Sequence, residues 1–198
     1  TIIFILCYKN DKGVFNFELC KLITFKNKDA NGTDIAFDAT INDGKMVITI
    51  NPTTDFTSEQ VVYVAIGATL EDSLNHAISA ATATFTAADI IVPTVPLYPA
   101  NGAQDVAPNT NVTLTFSESL RNINDSELTN ENVDGLITLK ATDASGGDFG
   151  FSATINADKT VITVDPLFDF SPNSTVYAAI GATVEDDANN AIAATSIT

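Results

Sequence analysis

Residues 160–192, TVITVDPLFDFSPNSTVYAAIGATVEDDANNAI, closely copy residues 46–78, MVITINPTTDFTSEQVVYVAIGATLEDSLNHAI. At a spacing of 114 positions the two copies pair without a gap from Leu22 with Leu136 to Thr84 with Thr198, about half of the pairs being identical. A repeat of this length is a domain and not a solenoid unit. The 198 residues therefore divide into two domains, each of roughly 100 residues and able to bury its own core.

Hydrophobic residues make up 45% and charged residues 17%, with Thr, Ala, Val and Ile prominent, which favours a folded β-rich chain over a disordered acidic one. No segment reaches the ~20 apolar residues of a membrane span. The net charge of −16 would repel phosphate backbones and anionic membranes, so neither nucleic acid nor membrane insertion is expected. Thr1 in place of Met suggests a piece of something longer, and the apolar run of residues 2–6 is too short for a signal peptide.

Turn and strand signals alternate along the second copy. VPLYP at 95–99 suits an edge strand because its prolines cannot donate to a ladder. In the following strand Val112, Leu114 and Phe116 alternate with Thr113 and Thr115. The polar stretch 117–135 reads as a long loop with one helical turn, anchored by Leu120, Ile123, Leu128 and Val133. Strands at LITLKAT, FGFSATI and TVITV follow, the last two joined by Asn156-Ala157-Asp158-Lys159, where the first copy has Asn42-Asp43-Gly44-Lys45 with its Asp-Gly hairpin signal. Pro166 and Pro52 end the next strand, Phe170 and Phe56 turn toward the core, and the chain crosses to a second sheet. Tyr177 and Tyr63 stand where a tyrosine hydroxyl bonds back to loop backbone as a corner. About seven short strands per copy make an immunoglobulin-like sandwich.

These residues resemble the bacterial Ig-like domains of S-layer and other large surface proteins. The resemblance is carried by Pro99, Asn101-Gly102, Asp105-Val106, Pro108-Asn109, Phe116, Glu118, Pro166, Tyr177 and the Asp186 to Asn190 turn. The family usually writes that turn Asp-x-x-Gly-Asn, whereas Asn189 and Asn75 stand here in the glycine's place. Asparagine is the best substitute at positive φ, so the turn should survive. The expected fold is all-β, two tandem immunoglobulin-like β-sandwich domains: residues 1–87, a stiff proline-bearing linker at 88–94, and residues 95–198. The resemblance implies a non-catalytic spacer, stalk or display scaffold of an exported surface or adhesin-like protein, located at the cell surface, with other domains of that protein as partners. The rival class is a carbohydrate- or ligand-binding module with cell-surface or glycan ligands. Trp is absent and Tyr numbers only 4, which leaves few aromatic platforms for a sugar, and Phe149, Phe151 and Phe168 are the ones to place.

No residue set carries reaction chemistry. His76, the sole histidine, lies in a turn and corresponds to Asn190 in the other copy, so no catalytic residue and no resident organic cofactor is expected. Calcium is the one cofactor the acids suggest. Ig topology would bring Glu185, Asp186 and Asp187 toward Asp89, with Asp29 or Asp34 from the first domain, against the alternative that all are solvated turn residues. Four Asn-x-Ser/Thr triplets, at Asn31, Asn111, Asn124 and Asn173, are a three-residue pattern that chance accounts for. Whether Cys7 and Cys20 pair is left open.

Residues 1–21 match the pattern poorly. IIFILC can act as the second strand of the first domain, with a shorter loop behind it, but no first strand remains, so that sheet should have an uncovered edge that invites pairing with another chain. Truncation is the expectation, and a variant start that caps its own edge is the alternative.

Overall fold

The computed structural model describes residues 2–5, 16–68, 70, 71 and 74–198, with side chains from Leu19 onward. The chain forms two compact units, Thr1–Asp89 and Ile90–Thr198. Both are built of antiparallel strands, and the described residues contain one α-helix and one 3₁₀ turn.

In the first unit β1 (Ile2–Ile5) precedes α1 (Asn16–Leu22), followed by β2 (Ile23–Asn27), β3 (Phe37–Ile41), β4 (Val47–Pro52), β5 (Val61–Ile66) and β6 (Ala81–Thr86). They pair as two sheets, β1-β4-β3 and β2-β5-β6. Period-two alternation decides which face is inward. Ile23 and Phe25 of β2, Ile48 and Ile50 of β4, and Val62, Val64 and Ile66 of β5 form one core, while the residues between them look outward. Phe25 meets Phe37 and Phe56 edge-on at 5.4 and 6.1 Å, and Phe56 meets Phe85 at 5.6 Å. The helix adds Leu19, which is fully buried.

The second unit has β7 (Leu97–Tyr98), β8 (Val112–Thr115), β9 (Arg121–Asn122), a 3₁₀ turn (Val133–Leu136), β10 (Ile137–Ala141), β11 (Phe151–Ile155), β12 (Val161–Pro166), β13 (Val176–Ile180), β14 (Val184–Glu185) and β15 (Thr195–Ile197). Its larger sheet has the order β11-β12-β8-β7, its smaller one β10-β13-β15, and β9 pairs with β14 as a separate ribbon. Four strands facing three, with the chain changing sheets after β12, is the seven-strand immunoglobulin arrangement. β7, flanked by Pro96 and Pro99, is an edge strand held by β8 alone.

Equivalent strands pair in equivalent registers. Ile5 faces Val47 and Phe4 faces Ile48, as Thr115 faces Val161 and Leu114 faces Ile162. IIFI is thus the counterpart of β8, and its connection to β2 is four residues shorter than that from β8 to β10. The 114-residue spacing also pairs Leu19 with Val133, and both are fully buried. The match therefore reaches back into α1, which was expected to lie outside the pattern: one inward side chain survives where the surrounding sequence has diverged.

Two expectations need correction. Ile123 is not an anchor but 55% exposed. The turn after β9, closed by the Asn122 amide donating to Ser126 O (2.9 Å), holds it at a tip. The β3–β4 hairpin does not depend on Gly44 either. Lys45 is the left-handed residue (φ 56°), as Lys159 is in the other unit (φ 57°). Asn42 and Asn156 organise the two loops, each side-chain oxygen accepting two backbone amides at 2.8–3.0 Å. An asparagine acting as a local acceptor explains why one copy does without glycine.

Candidate functional site

The acidic turn after β14 is the densest polar feature of the second unit. Asp186 is almost fully buried. Its Oδ1 accepts the amides of Ala188 and Asn190, and its Oδ2 the Asn190 side-chain amide, all at 2.8 Å. Asn189 takes the left-handed conformation at φ 71°, and Asn75 does so in the first unit at φ 64°, as asparagine in the glycine position predicts.

Arg121, the only arginine in the sequence, extends from β9 into this turn. Its guanidinium lies 2.9 Å from Asp125, 3.5 Å from buried Glu185 and 3.7 Å from Asp187, and donates to Asn189 Oδ1 at 3.0 Å. Its Nε is buried and faces Glu185 without a hydrogen bond. Two of the expected calcium ligands, Glu185 and Asp187, thus already face a cation, and a positive guanidinium among them opposes a second one. An arginine unique in an acidic chain, far in sequence from the turn, was the signal that sequence reading passed over. Glu118 comes within 4.8 Å of Asp186, carboxylate oxygen to carboxylate oxygen. With most of the lone pairs of Asp186 already accepting hydrogen bonds, these two acids alone do not form a cation cage.

The remaining acids serve loops. Asp29 accepts the Asn31 amide at 2.8 Å, and Asp34 pairs with Lys26 at 2.7 Å. The second unit repeats both: Asp143 accepts the Ser145 amide at 2.8 Å, and Asp148 pairs with Lys140 at 2.8 Å. The Ser145 hydroxyl adds a bond at 2.6 Å. This hydroxyl first, and then the Ser145 amide, hold the Asp143 carboxyl below its ordinary value. Asp89 accepts the Ser58 hydroxyl at 2.5 Å within the first unit.

Pro52 and Pro166 close their strands, and Phe56 and Phe170 pack on the cores as expected. Phe170 meets Phe149 edge-on at 5.1 Å, and Phe151 also packs inward. Phe168 is 83% exposed beside exposed Leu167. Tyr63 and Tyr177 lie across from Lys26 and Lys140, on the faces away from the cores. Neither hydroxyl makes a hydrogen bond among the described residues, so the expected corner bond is not formed there. His76 is an exposed turn residue. Cys20 donates to Phe37 O at 3.9 Å, while Cys7 lies outside the described residues. An open groove of about 850 Å³ at one end of the second sandwich is lined by Val106, Pro108, Phe170, Val176 and Ile197 among others, with Asp105 as its one titratable residue.

A family described as bacterial Ig-like domain matches residues 89–198, more than half of the chain. The chain belongs to the bacterial Ig-like domain family. No curated protein matches it. The matched Ig-like segment takes in the entire second unit, with both its sheets and the Arg121 turn.

Proposed function

We propose that the chain is a tandem pair of Ig-like domains, residues 1–87 and 95–198 joined by a linker at 88–94. It works as a non-catalytic structural module, a spacer, stalk or display scaffold, of an exported bacterial surface protein. One observation carries this reading: the polar residues that recur between the units, Lys26 with Asp34 and Lys140 with Asp148 above all, are used to hold loops. What is repeated is architecture. Domains of this family are generally non-catalytic and occur in bacterial surface proteins, which supports the reading of a module exposed outside the cell. No helix of the described residues is long and apolar enough to cross a membrane. Pro93 and Pro96 stiffen the connection.

Limited proteolysis tests the spacer. Cleavage within 88–94 should release two fragments that resist further digestion, and cleavage spread through either domain would contradict it. The rival reading, a carbohydrate- or ligand-binding module, has the groove beside Phe170 and exposed Phe168 in its favour. Micromolar binding on a glycan array would favour that class over the spacer. The calcium reading keeps Asp89, Glu185, Asp186, Asp187, Asp29 and Asp34 as its candidate ligands, and a calorimetric titration without binding at millimolar calcium would retire it.

A further inference from the structure

We propose that the loop of residues 127–136 is a strand guard: it closes the outer edge of β11 and so keeps the second unit from pairing, edge to edge, with another copy of the chain. The inference rests on the second unit and does not depend on the spacer reading. β11 is the last strand of the β11-β12-β8-β7 sheet. The Asn156 amide donates inward to Val161 O at 3.0 Å. Donors alternate along a strand, so the amides of Ala153 and Ile155 point away from β12. Left unpaired, such donors recruit a further strand. Here each has a partner: the Ala153 amide donates to Asp134 Oδ1 at 2.6 Å, and the Ile155 amide to Asn130 Oδ1 at 2.9 Å. Two side-chain oxygens stand where a neighbouring strand would offer its carbonyls.

The guard is fixed by other residues of its own loop. Leu128 and Val133 are fully buried. Asn132 Oδ1 accepts the Thr129 amide and Asn132 Nδ2 donates to Glu127 O, both at 2.9 Å, and Lys159 Nζ donates to Leu128 O at 2.7 Å. Asn130 and Asp134 themselves are exposed, so neither fills the core. The opposite edge of the same sheet is blunted by Pro96 and Pro99 beside β7, which have no N–H to offer. In the first unit the 114-residue spacing pairs Asp134 with Cys20, whose Sγ donates at 3.9 Å to Phe37 O, on the matching side of β3. The two copies cover one edge with different side chains, and what they share is its closure.

The test uses the full chain carrying Asn130→Ala and Asp134→Ala together, at physiological salt, where the net charge of −16 is screened beyond about 8 Å. In dilute solution the Ala153 and Ile155 amides should exchange roughly tenfold faster than in the unaltered chain, as the loss of one hydrogen bond each implies. As the concentration rises, sedimentation should show a dimer and the same two amides should regain protection, which locates the contact at β11. In the unaltered chain their protection should not depend on concentration. Asn130→Asp with Asp134→Asn keeps an acceptor oxygen at both positions and should behave like the unaltered chain. Unchanged exchange at these amides in the double alanine variant, fast exchange without association, or a dimer that leaves β11 unprotected would each overturn the proposal. Should the double variant unfold, Asn130→Ala alone decides in the same way through the Ile155 amide.

Discussion

The loop between β2 and β3 and the loop between β10 and β11 agree down to single atoms. Lys28 and Thr142 share φ 68°. Gly32 and Gly146 each sit where an added Cβ would lie 1.6 Å from the carbonyl oxygen of Asn27 or Ala141. The turns after β5 and after β13 share only a frame, since Arg121 and the β9–β14 ribbon occur in the second unit. Where backbone sterics set the loop, both copies keep it. Where a charged side chain secures it, one copy has found its own solution.

Ile48 and Ile162 occupy equivalent positions with no exposed surface, so Ile48→Ala and Ile162→Ala should each cost about 2–5 kcal/mol. Denaturant unfolding that gives one of them less than half the cost of the other would break the equivalence of the cores. Gly32→Ala and Gly146→Ala come next, at about 2 kcal/mol each, because the new methyl group must displace backbone. Equal losses confirm that one loop has been kept twice. Arg121→Ala should cost about 2 kcal/mol, since it leaves Glu185 buried without its partner. In an Arg121→Ala, Glu185→Gln double variant much of that loss should return; a cost unchanged by Glu185→Gln would mean that the guanidinium works through other contacts.

Smaller effects follow at the surface. Lys26→Met and Lys140→Met should change stability by less than about 1 kcal/mol, because Asp34 and Asp148 are largely exposed. The smallest effect concerns acid. The folded Asp143 carboxyl is held below 3.8, so its contribution is present above that pH and is lost as the pH falls through the lowered value. Ser145→Ala should flatten this part of the acid limb.

Most of the architecture was legible because strands repeat their inward residues: Ile48 and Ile50 recur as Ile162 and Val164. β5 and β13 are apolar on both faces, so only folding shows that Val64, Ile66, Ala178 and Ile180 point inward. The Asn189 and Asn75 turns could be read because positive φ admits few residues. α1 was hidden, since of its sequence only Leu19 keeps a buried counterpart. The β9–β14 ribbon was hidden as well, because two-residue strands leave no periodicity to detect. The acids around Asp186 were noticed, but what neutralises them was not. Arg121 is 64 residues from Glu185 in sequence, and only folding brings the two together.

Residue-resolved amide exchange on the intact chain carrying either Ile48→Ala or Ile162→Ala tests most directly that two separate Ig-like cores stand in tandem. Ile48→Ala should accelerate exchange in β2 to β6 and leave β7 to β15 unchanged, and Ile162→Ala should do the reverse. Loosening of both units by either substitution would contradict the tandem pair and show one cooperative core.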